Sequence, residues 1–327
     1  MKNHLKSLLS FADSGLVVVG VKNGSLKFQG DRLLFVQKGQ IDGDLNSAVV
    51  AGAEIVDAGG MLGSLEKVSD GGASIRLESK AGHVSVPKVN LEIATLEPES
   101  EFEDANGLKR IVAMHEIDPP SINQRALFFS GGRALITDGW VMDVTEVGID
   151  FEGGLSLSYV KLAKPLISAA DDIRYAANDK ELQLQLRFGD DEAIIAIPRV
   201  AAPLPLVEQV FKMVELVEPL ISGMSTKEVG KVMRYAASKD ASSVDIIGYK
   251  DKVEIEIFSS KVGGTIRVAG FGNTDDAKLT LPPNIYKRLA RKGAKRVDIL
   301  TREQANDSVI ICIRDDTGVD FVSVVRA

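Results

Sequence analysis

The sequence predicts an α+β fold built from repeated units of one amphipathic helix followed by several antiparallel strands. Three observations carry that prediction. Candidate helices begin near positions 2, 58, 108, 161, 226 and 283, a spacing of roughly fifty to sixty-five residues. Between them the hydrophobic period changes from 3.6 to 2, as helix gives way to half-buried strand. A local echo also appears: Ile173-Arg174-Tyr175-Ala176-Ala177 returns sixty positions later as Met233-Arg234-Tyr235-Ala236-Ala237. Repetition at such a period implies a shape made by stacking or ring closure.

Taken in order, Leu5, Leu8, Leu9 and Ala12 give the first helix its buried stripe. Asn23-Gly24 marks a tight turn between strands. The second helix is read around Met61, Leu62, Leu65 and Val68, and a third near Leu108. The acidic run Glu97 to Asp104 reads as a connector. The fourth helix would bury Leu166, Ala169, Ala170 and Ile173. Glu181 to Arg187 alternates polar and apolar residues and predicts a strand, closed by the Gly189-Asp190-Asp191 turn. Pro198 to Pro205 is proline-rich, hence an extended second connector. Ser225-Thr226-Lys227-Glu228 has the form of a capping box, with Ser225 as N-cap and Glu228 reaching back to it. Behind it Val229, Val232, Met233, Ala236 and Ala237 form a stripe opposite Lys227, Lys231 and Arg234. Lys252 to Ile257 alternates again. The last helix opens at Pro282-Pro283 and stops at Gly293. The final strands flank the Asp315-Asp316-Thr317-Gly318 turn. Cutting at the two connectors gives three domains, 1–105, 106–205 and 206–327, with two helix-plus-strand units in each.

With 327 residues, 45% hydrophobic and 26% charged, the chain has the composition of a soluble globular protein. No apolar run approaches the roughly 18 residues of a membrane span. The start of the chain lacks the apolar core and cleavage site of a signal peptide. A single cysteine, Cys312, excludes an internal disulfide framework and fits a reducing compartment; its apolar neighbours Val309 to Ile313 mark it as buried and inert.

The net charge of −7 argues against an outer surface that binds nucleic acid indiscriminately. The charge is nevertheless segregated. The six helix windows together carry +11, so the remainder carries −18. Lysine and arginine are good helix formers and often decorate solvated faces. Six windows on one side of their sheets point instead to a basic concave surface on an acidic body. Duplex DNA carries a phosphate charge about every 1.7 Å, which such a surface attracts without reading sequence. The DNA-binding candidates are Lys2, Lys6, Lys109, Arg110, Lys164, Arg174, Lys227, Lys231, Arg234, Lys287, Arg288, Arg291, Lys292 and Lys295.

The chain resembles the DNA sliding clamps, the ring-shaped processivity factors of replicative polymerases, of bacterial or phage type. Three stretches carry the resemblance. Leu135 to Met142 contains a Thr-Asp-Gly turn after a strand, similar to one in the middle domain of bacterial clamps. Val56 to Leu65 resembles the second helix of the first domain of phage clamps. Phe211 to Ala327 has the order of elements of a last clamp domain. The resemblance implies three clamp-like domains, two subunits closing head to tail into a homodimeric ring of six similar domains, helices lining the hole, and sheets outside. It implies three partners: double-stranded DNA, a DNA polymerase, and an ATP-dependent clamp loader. It also implies a cytoplasmic location in a bacterial or phage-infected cell. Clamp partners dock short peptides into an apolar pocket between the middle and last domains. The matching positions are Thr137, Gly139, Trp140, Val141, Met142, Pro203, Val322 and Val324, although the run Asp320 to Ala327 departs from the bacterial pattern. Trp140 is read either as a core residue or as an exposed pocket aromatic.

No catalytic or cofactor motif is legible. His4, His83 and His115 are scattered without metal-ligand spacing. Ser64-Leu65-Glu66-Lys67 fits Ser-x-x-Lys, a short and common pattern. Asp171-Asp172, Asp190-Asp191 and Asp315-Asp316 are neighbours that would point to opposite faces of a strand. Gly230-Lys231 is followed by Val232 where a phosphate loop needs Ser or Thr. The chain is therefore read as a non-enzyme without cofactors or metal. Two other readings are a ring- or tube-forming structural or virion protein that does not bind DNA, and an enzyme whose site is dispersed.

Overall fold

The structure is a computed structural model and describes residues 2–39, 41–62, 65–114, 126–138, 141–201, 211–212, 214–260, 263–273, 277–289, 294–303 and 308–326. In chain order, α1 (Lys2–Leu9) precedes β1 (Leu16–Lys22), β2 (Ser25–Gly30), β3 (Leu33–Lys38) and β4 (Leu45–Ala51). Then come α2 (Gly52–Leu62), β5 (Lys67–Asp70), β6 (Ser74–Ser79), β7 (Gly82–Pro87), β8 (Glu103–Asp104) and a 3-10 helix (Asn106–Ala113). The middle of the chain holds β9 (Ala126–Ser130), β10 (Arg133–Thr137), β11 (Val141–Glu146), β12 (Gly153–Ser156), α3 (Leu157–Ala169), β13 (Asp172–Ala177), β14 (Glu181–Phe188) and β15 (Asp191–Val200). Next follow β16 (Glu218–Ser225), α4 (Thr226–Ser238), β17 (Ser243–Gly248), β18 (Val253–Phe258), β19 (Gly263–Val268), β20 (Phe271–Gly272) and β21 (Ala277–Leu281). The chain closes with α5 (Pro283–Tyr286), β22 (Arg296–Glu303), β23 (Ser308–Asp315) and β24 (Val319–Arg326). The α+β class is as the sequence predicts, with antiparallel ladders between the named strands.

Two compact units share the chain, each made of two stretches. The first comprises Met1–Val112 and Gly153–Ala201; the second, Ala113–Glu152 and Ala202–Ala327. In the first, antiparallel pairing runs β4-β1-β2-β3-β15-β14-β13-β8. The β3–β15 seam, from Leu33↔Ile195 to Val36↔Glu192, joins its two stretches. The second repeats the plan as β9-β10-β11-β24-β23-β22-β16-β20. Its seam is β11–β24, from Val141↔Ser323 to Thr145↔Val319. Each unit also has a small sheet: β5-β6-β7 in the first and β19-β18-β17-β21 in the second.

Helix burial follows from helical spacing. Leu5, Leu8, Leu9 and Ala12 are buried, and α1 packs against both α2 and α3. In the second unit α4 buries Val229, Val232, Met233 and Ala236, while Ala237 is half-buried. The Asn23-Gly24 turn takes positive φ at both residues, 52° and 75°, and joins β1 to β2 with Lys22 paired to Ser25. Gly189, at φ 63°, opens the β14–β15 turn. Cys312 is fully buried on β23.

Five local expectations are corrected. The echoed pentapeptide is not a structural repeat: Ile173 to Ala177 lies in β13, Met233 to Ala237 in α4. The fourth helix ends at Ala169 because Ala170 turns extended (ψ 139°), so Ile173 and Arg174 leave the helix. The second helix begins at Gly52 and ends at Leu62; among its described side chains Ile55 and Ala58 are buried, Met61 is 66% exposed, and Val68 is on β5. Pro198, Arg199 and Val200 finish β15 rather than starting a connector. The last helix spans only Pro283–Tyr286, buries Ile285 and Tyr286, and leaves Arg296 on β22.

Candidate functional site

The predicted cations fall into three groups. The first stands on exposed helix faces. Lys227, Lys231 and Arg234 all point outward from α4, and none lies within 4 Å of a carboxylate among the described residues. Their placement follows from the cap and the stripe. Ser225 Oγ accepts the Glu228 N–H at 3.4 Å and starts the helix, and burial of Val229, Val232 and Met233 turns the cations out. The other half of the predicted box is replaced, for Glu228 Oε2 accepts the Ala269 N–H at 3.0 Å. Lys6 is exposed on α1, while Lys164 is half-buried on α3, one turn after the exposed Lys161.

A second group is tied down locally. Lys109, on the 3-10 helix beside the exposed Arg110, donates from Nζ to Asp171 O at 3.3 Å. Arg174 sits on β13 with Nε 3.5 Å from Asp172 Oδ2, so the strand places it among acids rather than on a basic helix. The Asp172 carboxyl is held below the usual carboxylate range, chiefly by the hydrogen bond from Asn106. Arg288 is half-buried with its guanidinium 5.3 Å from the Phe321 ring centre, and Phe321 is a core residue. Lys295 and Arg296 are off the helix, their N–H groups donating to Asp316 Oδ1 at 2.8 and 3.4 Å. Those bonds, Lys295's first, hold the Asp316 carboxyl low. Lys287 is exposed at the end of α5. The third group, Arg291, Lys292 and the Lys2 side chain, lies outside the described residues.

The predicted pocket residues divide as well. Thr137 and Asp138 build the turn after β10: Thr137 Oγ1 donates to Val141 O at 2.9 Å and Asp138 Oδ1 accepts the Val141 N–H at 2.9 Å. Thr137 and Val141 are buried. Met142 is half-buried and pairs across the seam with Val322. Val322 pairs with Cys312, and Cys312 with Leu300, so four neighbouring strands present one apolar row. Ile310 joins that row, and Val214 and Val217 from the preceding segment pack on it. Arg133 anchors the segment, with Nη2 2.9 Å from Glu215 Oε1 and its guanidinium 5.0 Å from the Phe211 ring centre. Gly139, Trp140, Pro203 and the Val324 side chain lie outside the described residues.

Sequence reading missed Val214, Val217, Leu300, Ile310 and Arg133. Val214 and Val217 carried a weak signal, two valines three apart after Phe211. The sequence marks Cys312 as core, which it is, but not as part of this row. Among the described residues, no cluster of three or more His, Cys, Asp or Glu could hold a metal ion. No described helix is long and apolar enough to cross a membrane.

No protein-family model and no curated protein matches the sequence. Solved structures do. The whole chain aligns with a DNA polymerase sliding clamp from Pseudomonas aeruginosa at 12% identity, covering 97% of that chain with a TM-score of 0.72. It aligns equally fully with the DNA polymerase III β subunit of Thermotoga maritima, at 15% identity, 98% coverage and TM-score 0.68. The Caulobacter crescentus β sliding clamp gives 12% identity, 97% coverage and TM-score 0.67. At such identities the likeness establishes a shared fold along the full chain.

Proposed function

We propose that this chain is a sliding clamp: a ring that encircles duplex DNA and tethers the replicative polymerase, itself without catalytic activity. The observation that carries the reading is the likeness of the entire chain, end to end, to bacterial sliding clamps. Exposed cations on α4, α1 and α3 support it, because helices are the elements such a ring turns toward DNA. Those cations would hold phosphates weakly and without register, which favours sliding. Escape is prevented by topology, so tight contacts are unnecessary. Lys6, Lys227, Lys231, Arg234 and Lys287 fit this role best; Arg174 and Arg288 have local partners that reduce their reach.

In this reading the domains are 1–105, 106–205 and 206–327, and two copies close the ring. The free edges of the small sheets support closure. Among the described residues β7 pairs only with β6 and β19 only with β18, and an open strand edge invites another strand. The half-buried Met142, Val214 and Val217, which lie over the buried Val322, Cys312 and Leu300, mark where a polymerase or loader peptide would dock. The proposed setting is the cytoplasm of a bacterial or phage-infected cell, with an ATP-driven loader to open the ring. Solution mass tests the assembly. A particle of about twice the 35.1 kDa chain is expected, and a stable monomer at micromolar concentration would overturn it.

A further inference from the structure

The connector Lys88 to Phe102 has no regular secondary structure and buries one side chain, Leu96, at 4% exposure. It nevertheless follows a fixed path in the first unit. The Leu96 N–H donates to Gly30 O at 2.7 Å, and Gln29 Nε2 donates to Leu96 O at 2.9 Å. Gln183, itself only 2% exposed, reads the backbone twice: its Nε2 donates to Glu97 O at 3.0 Å and its Oε1 accepts the Glu99 N–H at 3.0 Å. Asn178 Nδ2 donates to Glu99 Oε1 at 2.7 Å. Leu96 lands on Ile194 and Ala196, with Leu34 and Phe102 at the margin. Leu34 and Ile194 are cross-strand partners at the β3–β15 seam. This patch therefore corresponds in position to the Met142–Val322 row at the β11–β24 seam of the second unit.

We infer that the seam of the first unit is a peptide-docking groove, filled in the resting molecule by the chain's own residues 96–102. The kind of partner it fits is given by its present occupant. That is an extended protein segment with two apolar side chains six positions apart and glutamates between them. Gln29 and Gln183 bond backbone atoms, so they would accept any extended chain; Leu96 and Phe102 supply the side-chain specificity. With one buried side chain in fifteen residues, the strap is the kind of segment that opens locally without unfolding its unit. An incoming segment must compete with a tethered one whose effective concentration is on the order of millimolar. The groove thus answers only to a partner already held nearby, and it needs no DNA.

The probe is a fluorescein-labelled synthetic peptide of Ile93 to Asp104, titrated against the full-length chain by anisotropy. In Leu96→Ser/Phe102→Ser the groove is emptied, and the peptide should bind at least about tenfold more tightly than to the unaltered chain. Adding Leu34→Arg to that variant should abolish the gain. No gain in a variant with unchanged circular dichroism overturns the inference, as does a gain that survives Leu34→Arg. If the emptied variant fails to fold, hydrogen exchange on the unaltered chain decides: excess unlabelled peptide should speed exchange of the Leu96 and Glu99 amides, and unchanged rates at millimolar peptide overturn it. Neither arm involves DNA, so its outcome is separate from that of the clamp reading.

Discussion

Reversing Lys227, Lys231 and Arg234 to glutamate tests the basic helix face where it is best defined. All three side chains are exposed on α4, opposite Val229, Val232, Met233 and Ala236. The substitutions leave the buried stripe and the Ser225 cap untouched, and exposed helix substitutions of this kind stay within about 0.5 kcal/mol. Each phosphate contact contributes about 0.9 to the slope of log K against log salt. Losing up to three contacts per chain should flatten that slope by up to about 2.7, and the new carboxylates add repulsion. The assay is anisotropy of a labelled duplex titrated with protein at a series of sodium chloride concentrations, with thermal melting as the folding control. Affinity and slope equal to those of the unaltered protein, in a variant that melts normally, would refute the reasoning.

Two further outcomes bear on the fold. In the second unit β20 crosses the end of β17 so closely that a Cβ on Gly272 would stand 2.6 Å from Gly248 C and 2.7 Å from its O. Because backbone cannot swing aside, Gly272→Ala should cost about 2–3 kcal/mol in urea unfolding, whereas Gly264→Ala, with nothing within 4 Å, should cost little; equal effects would contradict the geometry. Acid should destabilise the protein. Asp70 beside Lys88, Asp172 beside Asn106, Glu254 beside Lys252 and Asp316 on the Lys295 N–H all ionise more easily folded than unfolded. Their contribution is present above the unfolded pKa and lost as pH falls through the folded values, so the melting temperature should hold from neutral pH to about 5 and fall below about 4. Asp191, raised by burial, acts in the opposite sense but is one group against four. A melting temperature that climbs in acid would contradict this assignment.

The parts of the fold legible in sequence were those where local chemistry and burial agree. Ser225 sits where a cap must, and Val229 to Ala236 recur at the spacing a buried helix face requires. Asn23-Gly24 could hardly be anything but a turn. The errors arose where short patterns are compatible with either period. Ile173 to Ala177 and Met233 to Ala237 carry nearly the same side chains, yet one pairs with Leu182 to Leu186 as a strand while the other is helical. Tertiary pairing decided between them, and no five-residue window contains that information. The second helix is misplaced because its described buried side chains, Ile55 and Ala58, are few, and three glycines dilute its pattern. For the candidate site, residue type identified the cations but not their surroundings. Whether Arg174 or Arg288 faces solvent, a carboxylate or a ring depends on residues far away in the chain. The apolar row was only partly visible, since Met142, Val322, Cys312 and Leu300 come from four separate strands.

Enclosure of DNA is tested most directly by its topology. The purified protein is loaded onto nicked circular plasmid, separated from free protein, and the plasmid is then cut once with a restriction enzyme. The account predicts that protein stays with the intact circle through a wash at high salt and runs off within minutes of linearisation. Equal retention on circle and line, or loss from both in proportion to salt, would mean that the chain binds DNA from outside or not at all.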